Sequence, residues 1–422
     1  MLLSHRRGIH LLFSRGLLLA LLLSLGAISA WAAAKDAPEA AGGTFRQWLT
    51  EFYPLAAEQG VSAAVYSQAF AGVREPDTRV LEKARYQPEF TTKIWDYLDA
   101  RVTPLAIQQG QQLGNRHART LAAIKARFGV RPSVLLAIWS MESNYGAILT
   151  RTKRLHAVPR ALATLAYADP RRQKFGRSQL LAALQILQAG DISAAEMLGS
   201  WAGAMGHTQF IPSSYLAYGV DLDGDGRRDI WNSIPDALAT AANLLAKNNW
   251  QSGKTWGYEA VAPPGDQTGL VGTTKTLAQW EELGFRRPQD QAFPRPQDRA
   301  VLKLPAGPKG PAFLMLKNFF VIKRYNNSDF YALAVGMLAD RIAGYPPLVQ
   351  PWPRPPWSLT MTEKYELQQL LKKRGFYQGV IDGAIGSASR RAIRAFQQQA
   401  GLAVEGKPSR DVLRALRRQP SS

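Results

Sequence analysis

The sequence predicts a mainly α-helical protein with a small β-containing part and a separate helical unit at its C-terminal end. Apolar residues recur at helical spacing over most of residues 44–249. Residues 253–323 are instead rich in glycine and proline and contain short alternating runs that favour strands. Six prolines among residues 345–356 predict a stiff, extended linker before a compact unit at residues 360–417. We therefore expect an α+β fold in which helices predominate.

The individual elements follow from periodicity and from residues that start or stop helices. In the larger part, we predict two strands, at residues 300–304 and 313–316, and eight helices, at residues 44–58, 104–128, 133–145, 160–168, 178–188, 193–200, 233–249 and 329–343. After the linker, we predict helices at residues 363–374, 387–400 and 409–417. The expected domains are residues 44–345 and 360–417, joined by a linker at residues 346–359.

Residues 1–34 have the composition of an export signal. Arg6, Arg7 and Arg15 precede a leucine-rich run, and alanines follow it at Ala30-Trp31-Ala32 and at residues 32–34. The run, Gly16 to Ile28, has thirteen residues. A membrane helix needs roughly 20. We expect export to the periplasm with cleavage of this segment, and an uncleaved anchor is the alternative.

Composition excludes several function classes. The chain has no cysteine, which excludes disulfides, thiol nucleophiles and the lipid-modified cysteine of a bacterial lipoprotein. Its histidines form no His-Glu-x-x-His zinc pair, and it has no Gly-x-Ser-x-Gly elbow and no phosphate-binding glycine loop. The formal net charge of +20 favours polyanionic surroundings, namely nucleic acid, anionic lipid or an acidic wall polymer. Export disfavours nucleic acid, and no nucleic-acid-binding motif is present.

Glu142 is the leading candidate for acid–base chemistry. It follows Ile138 by four residues and therefore lies in the apolar stripe of the helix predicted at residues 133–145. A carboxyl group in an apolar environment is paired or protonated, and burial raises its pKa toward the range that a general acid needs. The alternative is a structural glutamate bound to a backbone donor or an arginine.

A second motif has the spacing of a calcium-binding loop. Asp221, Asp223, Asp225 and Asp229 stand at EF-hand positions 1, 3, 5 and 9, and Arg227 offers a carbonyl at position 7. Three carboxylates within five residues repel one another unless a hard cation binds them. Position 12 is Asn232 instead of the usual glutamate, so the identity of the ion stays open, with Ca²⁺ only modestly favoured over Na⁺ or Mg²⁺. A solvated loop with two Asp-Gly turns is the alternative.

Two further segments offer groups that suit a sugar ligand. Residues 200–215 combine small residues, which let a ligand approach the backbone, with polar side chains that include Ser200 and Gln209. Residues 325–332 place Asn326 and Tyr331 next to a predicted helix start. A tight turn and an N-cap with buried aromatic residues are the respective structural alternatives.

The four segments, in this order, resemble the membrane-bound lytic murein transglycosylase B family. The matching motifs are Glu-Ser-Asn-Tyr-Gly at 142–146, Gly-Ala-Met-Gly-x-x-Gln-Phe-x-Pro-Ser-Ser at 203–214, Asp-x-Asp-Gly-Asp-Gly at 221–226 and Tyr-Asn-x-Ser-x-x-Tyr-Ala at 325–332. The resemblance implies a lysozyme-like catalytic domain. It also implies cleavage of the β-1,4 bond between N-acetylmuramic acid (MurNAc) and N-acetylglucosamine (GlcNAc) of peptidoglycan, with formation of 1,6-anhydro ends.

The same resemblance implies roles for particular residues. Glu142 would act alone, first as general acid and then as general base, and a structural Ca²⁺ or Na⁺ would bind at the Asp221–Asp229 loop. No catalytic cofactor is implied. The implied substrate-binding residues are Tyr97, Ser143, Asn144, Ser200, Gln209, Asn326 and Tyr331. A hydrolytic N-acetylmuramidase, which needs a second carboxylate, is the competing enzyme.

The C-terminal unit resembles a three-helix peptidoglycan-binding domain. The resemblance rests on the patterns around Ile381-Asp382-Gly383, Phe396-Gln397 and Gly401-Leu402. It implies that peptidoglycan is the partner, along with proteins of wall synthesis or remodelling. Cleavage of the export signal and the lack of a cysteine for lipid attachment predict that no stable membrane anchor remains, and export argues against a nucleic-acid partner. A non-catalytic wall-binding scaffold is therefore the alternative from a different functional class.

Overall fold

A computed structural model describes residues 43–85 and 92–418, so the expected export signal lies outside the described residues. The chain divides into two compact units. The larger unit contains the described residues up to Lys93 together with Ala106–Pro351, and the smaller unit contains Ile94–Leu105 and the chain from Trp352 onward. Among the helices of the described residues, none combines the length and the apolar character that crossing a bilayer requires.

Helices dominate the part of the chain that the structure describes. In chain order they are α1 (Phe45–Glu58), α2 (Ala63–Ala69), α3 (Thr78–Arg85), α4 (Ile94–Arg101), α5 (Pro104–Arg116), α6 (Ala118–Phe128), α7 (Pro132–Ser143), α8 (Val158–Ala168), α9 (Gln173–Ala189), α10 (Pro212–Tyr218), α11 (Ile234–Lys247), α12 (Leu277–Glu282), α13 (Lys317–Ile322), α14 (Asp329–Ile342), α15 (Met361–Lys373), α16 (Ser387–Gln399) and α17 (Arg410–Arg418). The strands are β1 (His156–Ala157), β2 (Leu198–Gly199), β3 (Gly257–Ala260), β4 (Thr274–Thr276), β5 (Arg299–Lys303) and β6 (Ala312–Met315).

Helix α7 of the larger unit packs against α14. Pro132 occupies its first turn, where the missing N–H costs nothing, and ten of its twelve residues are buried. The predicted helix at 133–145 is thus confirmed, with shifted ends. Asn144, in the left-handed region at φ 50°, ends the helix two residues before Gly146, which the sequence favoured as the stop.

Two predictions of helices need correction. The helix predicted at 104–128 is two helices, α5 and α6, separated at His117. The helix predicted at 193–200 is wrong, because the hydroxyl of Ser193 accepts the N–H of Glu196 in a turn and the chain then extends into β2. Strand β2 pairs antiparallel with β1, His156 opposite Gly199. Side-chain to backbone hydrogen bonds of serine compete with the helix in this way.

The glycine- and proline-rich stretch forms a four-stranded antiparallel sheet in the order β3-β6-β5-β4. The two predicted strands are confirmed as β5 and β6, which pair from Val301 opposite Met315 to Lys303 opposite Phe313. Trp280 of α12 and Phe285 pack on the sheet in a separate apolar core. The sheet therefore forms a subdomain beside the helical core of the larger unit.

In the smaller unit, α15, α16 and α17 surround one apolar core that includes Leu367, Phe396 and Leu413. The three predicted helices are confirmed. Thr360 and Glu363 form a reciprocal capping box that starts α15. Helix α4, which the sequence did not indicate, belongs to this unit together with the first two residues of α5, Pro104 and Leu105.

Candidate active site

Glu142 lies in the last turn of α7 and is 6% exposed. The hydroxyl of Tyr331, 4% exposed, donates a hydrogen bond of 2.6 Å to its Oε1. Tyr331 lies in the first turn of α14, where its own N–H is bound by the hydroxyl of the N-cap Ser328. The packing of α7 on α14 therefore brings together two residues that are 189 positions apart in the chain.

Tyr325 connects this pair to the glycine-rich loop at residues 199–210. Its ring lies nearly parallel to that of Tyr331, with ring centroids 6.5 Å apart. It also makes an edge-to-face contact with the ring of Phe210, with ring centroids 5.4 Å apart. Its hydroxyl donates to the carbonyl of Thr208 at 2.6 Å. Burial, followed by the nearby charge of Glu142, raises the pKa of Tyr325 well above its ordinary value. Tyr325 therefore stays a neutral hydrogen-bond donor.

Ser143 joins the end of α7 to the same loop. Its hydroxyl donates to the carbonyl of His207 at 2.6 Å and accepts the N–H of Gly146 at 2.9 Å. Ser143 is completely buried, whereas Asn144 beside it is exposed. Of these two predicted substrate-binding residues, the structure gives Ser143 internal partners and leaves Asn144 at the surface.

The glycine-rich loop is closed by its own hydrogen bonds. Met205 and Phe210 exchange backbone hydrogen bonds of 2.9 and 3.1 Å. Between them, Gly206 has φ 68°, and a Cβ there would collide with the backbone carbonyl of Ile230. Only glycine fits without a shift of the backbone. Gln209, at φ 51°, is 7% exposed and donates to the carbonyl of Gly206 at 2.8 Å.

Ser200 holds the start of this loop. Its hydroxyl accepts the N–H groups of Ala202 at 3.3 Å and Ala204 at 3.0 Å. The loop is further fixed from α7, because the indole of Trp139 donates to Nδ1 of His207 at 3.1 Å. Burial lowers the pKa of His207, which is consistent with a neutral ring that accepts at Nδ1.

Two further predicted substrate-binding residues lie outside α7 and the glycine-rich loop. Asn326 directly follows Tyr325, is half-buried, and its carbonyl accepts the N–H of Ser328 at 2.7 Å. Tyr97 is on α4, in the smaller unit, with the guanidinium of Arg101 5.6 Å from its ring centroid. Sequence reasoning missed Tyr325 and His207 as parts of the site. The tyrosine could have been found from its place in the same Tyr-Asn-x-Ser-x-x-Tyr motif.

The loop at residues 221–229, called the acidic loop below, has the spacing of a calcium-binding loop. The set of carboxylates that come together here differs from the set that this spacing predicts. Oxygen atoms of Asp221, Asp223 and Asp236 lie within 4.8 Å of one another. Asp236 belongs to the first turn of α11 and is completely buried. Its carboxylate accepts the N–H groups of Leu222 at 2.8 Å and Asp229 at 2.9 Å. The loop and the following helix thus supply three oxygen donors of the kind that Ca²⁺ prefers.

The remaining predicted ligands bind other groups of the loop. Asp225 accepts the N–H of Arg227 at 2.8 Å and lies 3.7 Å from its guanidinium. Asp229 accepts the backbone N–H groups of Trp231 and Asn232, both at 2.8 Å. Burial raises the pKa of Asp236, and hydrogen bonds from the backbone partly offset this effect. A cation that binds beside Asp236 would favour its ionised form, so the donor set fits a hard metal ion.

Comparison with protein families identifies both parts of the chain. Residues 44–340 match the model of the transglycosylase SLT domain, and residues 362–416 match the model of a peptidoglycan binding domain. The chain belongs to the transglycosylase SLT family. This result confirms the resemblance found in the sequence, the lysozyme-like helical fold class and the expected class of enzyme, a peptidoglycan lytic transglycosylase.

Known relatives agree with this assignment. SltB3 of Pseudomonas aeruginosa, solved in complex with NAG-anhNAM-pentapeptide, is 46% identical over 89% of this chain and 99% of that chain, with a TM-score of 0.70. The membrane-bound lytic murein transglycosylase B of Escherichia coli is 33% identical over 245 residues, which are 57% of this chain and 65% of the relative. Escherichia coli Slt35 in complex with calcium is 26% identical over 71% of this chain and 92% of that chain, with a TM-score of 0.57.

Proposed function

We propose that the protein is a periplasmic lytic transglycosylase that cleaves the β-1,4 MurNAc–GlcNAc bond of peptidoglycan and leaves 1,6-anhydro-MurNAc ends. The observation that carries this proposal is the buried carboxyl group of Glu142, oriented by Tyr331 at 2.6 Å, within a transglycosylase SLT domain. The complex of SltB3 with NAG-anhNAM-pentapeptide supports the class of product. Export rests on the composition of residues 1–34.

In this reaction Glu142 transfers two protons in succession. As the bond between C1 of MurNAc and the glycosidic oxygen breaks, Glu142 protonates the leaving oxygen of GlcNAc. The 6-hydroxyl of the same MurNAc then attacks C1, and Glu142 accepts its proton. One C–O bond breaks and one forms, no water is consumed, and Glu142 returns to its protonated state. Hydrolysis would need a second carboxylate and would leave a reducing MurNAc end, whereas this reaction needs only Glu142 and leaves a 1,6-anhydro end. The product therefore distinguishes the two reactions.

The neighbours of Glu142 would set its orientation. Tyr331 donates to Oε1. Tyr325 binds the loop carbonyl of Thr208 and faces Tyr331, so it fixes the ring that orients the acid. We also assign Ser143 to loop positioning, because its hydroxyl is engaged with His207 and Gly146.

Sugar binding is assigned to the polar residues around this acid and on α4. Gln209 and Ser200 belong to the closed glycine-rich loop, and Asn326 adjoins Tyr325. Asn144 offers an exposed amide directly after the acid. Tyr97 is included through the family resemblance. Since Ser200 and Gln209 also hold the backbone of the glycine-rich loop, ligand contacts there would add to a loop whose shape is already fixed.

The acidic loop and the C-terminal unit have supporting roles in this proposal. Asp221, Asp223 and Asp236 would hold one structural Ca²⁺, and the Slt35 complex with calcium supports the choice of ion. The three-helix unit would bind peptidoglycan and so raise the local concentration of glycan strands. Neither role places a metal in the reaction itself.

Digestion of purified sacculi tests the proposal. We expect the protein to release muropeptides that end in 1,6-anhydro-MurNAc, identified by mass spectrometry. The variant Glu142→Gln keeps the shape of the side chain and an acceptor for Tyr331 but cannot transfer a proton, so we expect roughly a 10³-fold loss of product. Glu282→Gln, which alters an exposed glutamate of α12, is the matched control and should retain activity.

Other products would identify the competing functions. Reducing MurNAc ends would identify a hydrolytic N-acetylmuramidase. Retained binding to sacculi with no soluble product, unaffected by Glu142→Gln, would identify a non-catalytic scaffold. Product release by Glu142→Gln at the rate of the wild type would overturn the assignment of Glu142.

A further inference from the structure

The three-helix unit and the linker segment before it contain more cations than acids. Residues 352–422 hold thirteen lysines and arginines but only five aspartates and glutamates. Four of the acids each form an ion pair at 2.7 to 3.8 Å, and the fifth, Asp382, accepts the N–H of Ala384. The four pairs are Glu363–Arg410, Glu366–Arg417, Glu405–Lys407 and Asp411–Arg414. These pairs leave nine cations over.

Six of the nine have other partners or favourable places in the structure. Two bind Asp99 of α4, one donates to backbone carbonyls, and three lie in the last turns of α15 and α17, where cations complement the helix dipole. In that order, they are Arg354 and Lys364, Arg374, and Lys372, Lys373 and Arg418. The last three cations are Arg390, Arg391 and Arg394, all on α16. We call them the α16 arginines.

The α16 arginines form one exposed group that no acid neutralises. Among the described residues they take part in no ion pair, and α16 itself contains no acid. All three are exposed, and the opposite face of α16 is buried in the apolar core of the unit. Residues three and four apart are neighbours on a helix surface, and like charges at this spacing destabilise the helix. An anion bound to this face would remove the repulsion.

The chemistry of this face favours carboxylates over a lipid surface. A guanidinium is planar and offers paired N–H donors that match the two oxygens of a carboxylate. The other exposed side chains of α16 are small or polar, namely Ser387, Ala388, Ala395, Gln398 and Gln399. The face therefore lacks the large apolar side chains that an interfacial helix inserts into a membrane. In peptidoglycan, free carboxylates belong to the peptide stems, whereas the N-acetylated sugars are neutral.

We propose that the α16 arginines are the surface through which the three-helix unit binds the carboxylates of peptidoglycan peptide stems. The proposal rests on the proposed function, in which this unit binds peptidoglycan, and it names the part of the polymer that is recognised. Helix α16 lies within residues 362–416, which match the model of a peptidoglycan binding domain. The unit would then be held by the charged stems, and its binding would depend on salt.

Binding to sacculi tests the proposal, with full-length protein that carries Glu142→Gln so that the polymer is not cut. In one variant of this parent, all three α16 arginines are changed to glutamine. In the matched control, Arg410, Arg414 and Arg417 of α17 are changed to glutamine, which alters the net charge equally but removes arginines that already have acids as partners. Co-sedimentation measures binding to intact sacculi and to sacculi whose carboxylates have been converted to neutral amides with a carbodiimide and an amine.

We expect the α16 variant to bind intact sacculi roughly tenfold more weakly than the parent, as the loss of three exposed ion pairs predicts. The α17 control should stay within about twofold of the parent, because its arginines are already paired. Amidation should weaken binding by the parent and leave binding by the α16 variant unchanged. Salt at about 1 M, which screens charges beyond about 3 Å, should abolish the difference between parent and variant. Melting temperatures confirm folding, and Arg391→Gln with Arg414→Gln as its control replaces the triple variants if either folds poorly.

Equal losses in the α16 variant and the α17 control would overturn the proposal, because net charge alone would then explain binding. A loss in the α16 variant that persists on amidated sacculi would overturn it as well, since carboxylates would not be the partner. Binding to vesicles of phosphatidylcholine and phosphatidylglycerol that needs the α16 arginines, without an effect on sacculi, would assign the surface to lipid instead. Absence of sacculus binding by the parent would refute both wall binding and this proposal. The proposed reaction is decided separately, by release of 1,6-anhydro product from the wild-type protein.

Discussion

Two glycine-rich loops of the larger unit are built on opposite principles. The loop at residues 199–210 is mostly buried, and distant parts of the chain bind its backbone: Ser143 and Tyr325 bind the carbonyls of His207 and Thr208. The loop at residues 221–229 is largely exposed. At its exposed tip the N–H groups are bound by its own aspartates, Gly224 and Gly226 by Asp221, whereas Asp236 binds Leu222 and Asp229 near its two ends.

The difference indicates what each loop needs in order to keep its shape. Buried loops exclude water, so each backbone polar group needs a partner in the protein, and those partners fix the conformation. Exposed loops that concentrate carboxylates gain little from packing and must overcome charge repulsion, which a cation relieves. We therefore expect the loop at residues 199–210 to be rigid without a ligand. The loop at residues 221–229 should need a bound ion to keep its conformation.

Paired glycine substitutions test this contrast and have the largest expected effect. Gly206 and Gly224 both have positive φ, 68° and 80°, but a Cβ collides with the carbonyl of Ile230 at the first and meets nothing within 4 Å at the second. We expect Gly206→Ala to cost about 3 to 4 kcal/mol of unfolding free energy, from strain plus overpacking. Gly224→Ala should cost about 1 kcal/mol, from strain alone. Equal losses in urea denaturation would contradict the contrast.

Tyr331→Phe removes the hydroxyl that binds Glu142 and leaves the ring packing in place. A hydrogen bond to a charged group contributes about 1.5 to 3 kcal/mol, so we expect kcat to fall roughly 10- to 100-fold while KM changes little. The melting temperature should change much less than in Gly206→Ala. Tyr345→Phe, at a tyrosine that is 54% exposed, is the matched control and should behave as wild type. A fall in KM alone would contradict the assigned role.

Calcium titration tests the acidic loop. At a concentration 100 times its Kd, an ion that binds only the folded state adds about 2.7 kcal/mol of stability. Asp223 and Asp225 are both exposed in the same loop, but only Asp223 belongs to the cluster with Asp221 and Asp236. We expect Asp223→Asn to abolish most of the calcium-dependent rise in melting temperature and Asp225→Asn to keep most of it. Loss of the calcium-dependent rise in both variants would support the EF-hand spacing instead.

These residues also illustrate how far the sequence predicts the site. Glu142 could be placed by helical phase, since a buried stripe repeats regularly along α7. The segment around Tyr331 could be found by motif order. Asp236 could not be identified as a member of the acidic cluster, because its pattern is that of an ordinary first-turn aspartate of α11. Its proximity to Asp221 arises from the tertiary path of the chain.

The fold shows the same limit. Helices with a regular apolar stripe were predicted to within a few residues, and so were strands β5 and β6. The prediction of a helix at 193–200 was wrong, because local serine hydrogen bonds and pairing with the distant β1 outweigh weak helical propensity. The membership of α4 in the smaller unit depends on Arg354, which donates hydrogen bonds to Asp99 of α4 from 255 residues away in sequence, and no local pattern reveals this contact.

The smallest expected effect concerns Asp340, at the end of α14 that is remote from Tyr331. Its titration tests how the two active-site helices, α7 and α14, are held together. Asp340 accepts the indole N–H of Trp256 at 2.8 Å and lies 3.7 Å from Arg131, directly before α7. Burial raises its pKa to about 6, against the opposing effects of Trp256 and Arg131. The folded state therefore binds the Asp340 proton more tightly than the unfolded chain does.

It follows that the contribution of Asp340 to stability is fully present below pH 4 and is lost as the pH rises through about 6. Between pH 4.5 and 6, we expect wild-type stability to fall by about 1 to 2 kcal/mol relative to Asp340→Asn, which keeps an acceptor for Trp256 but does not titrate. Denaturation at each pH measures the difference. Asp290→Asn, which removes a carboxylate that is 89% exposed, controls for the change in net charge. A constant difference between wild type and Asp340→Asn would show that Asp340 is ionised throughout, and the Arg131 ion pair would then join α7 to α14 at every pH tested.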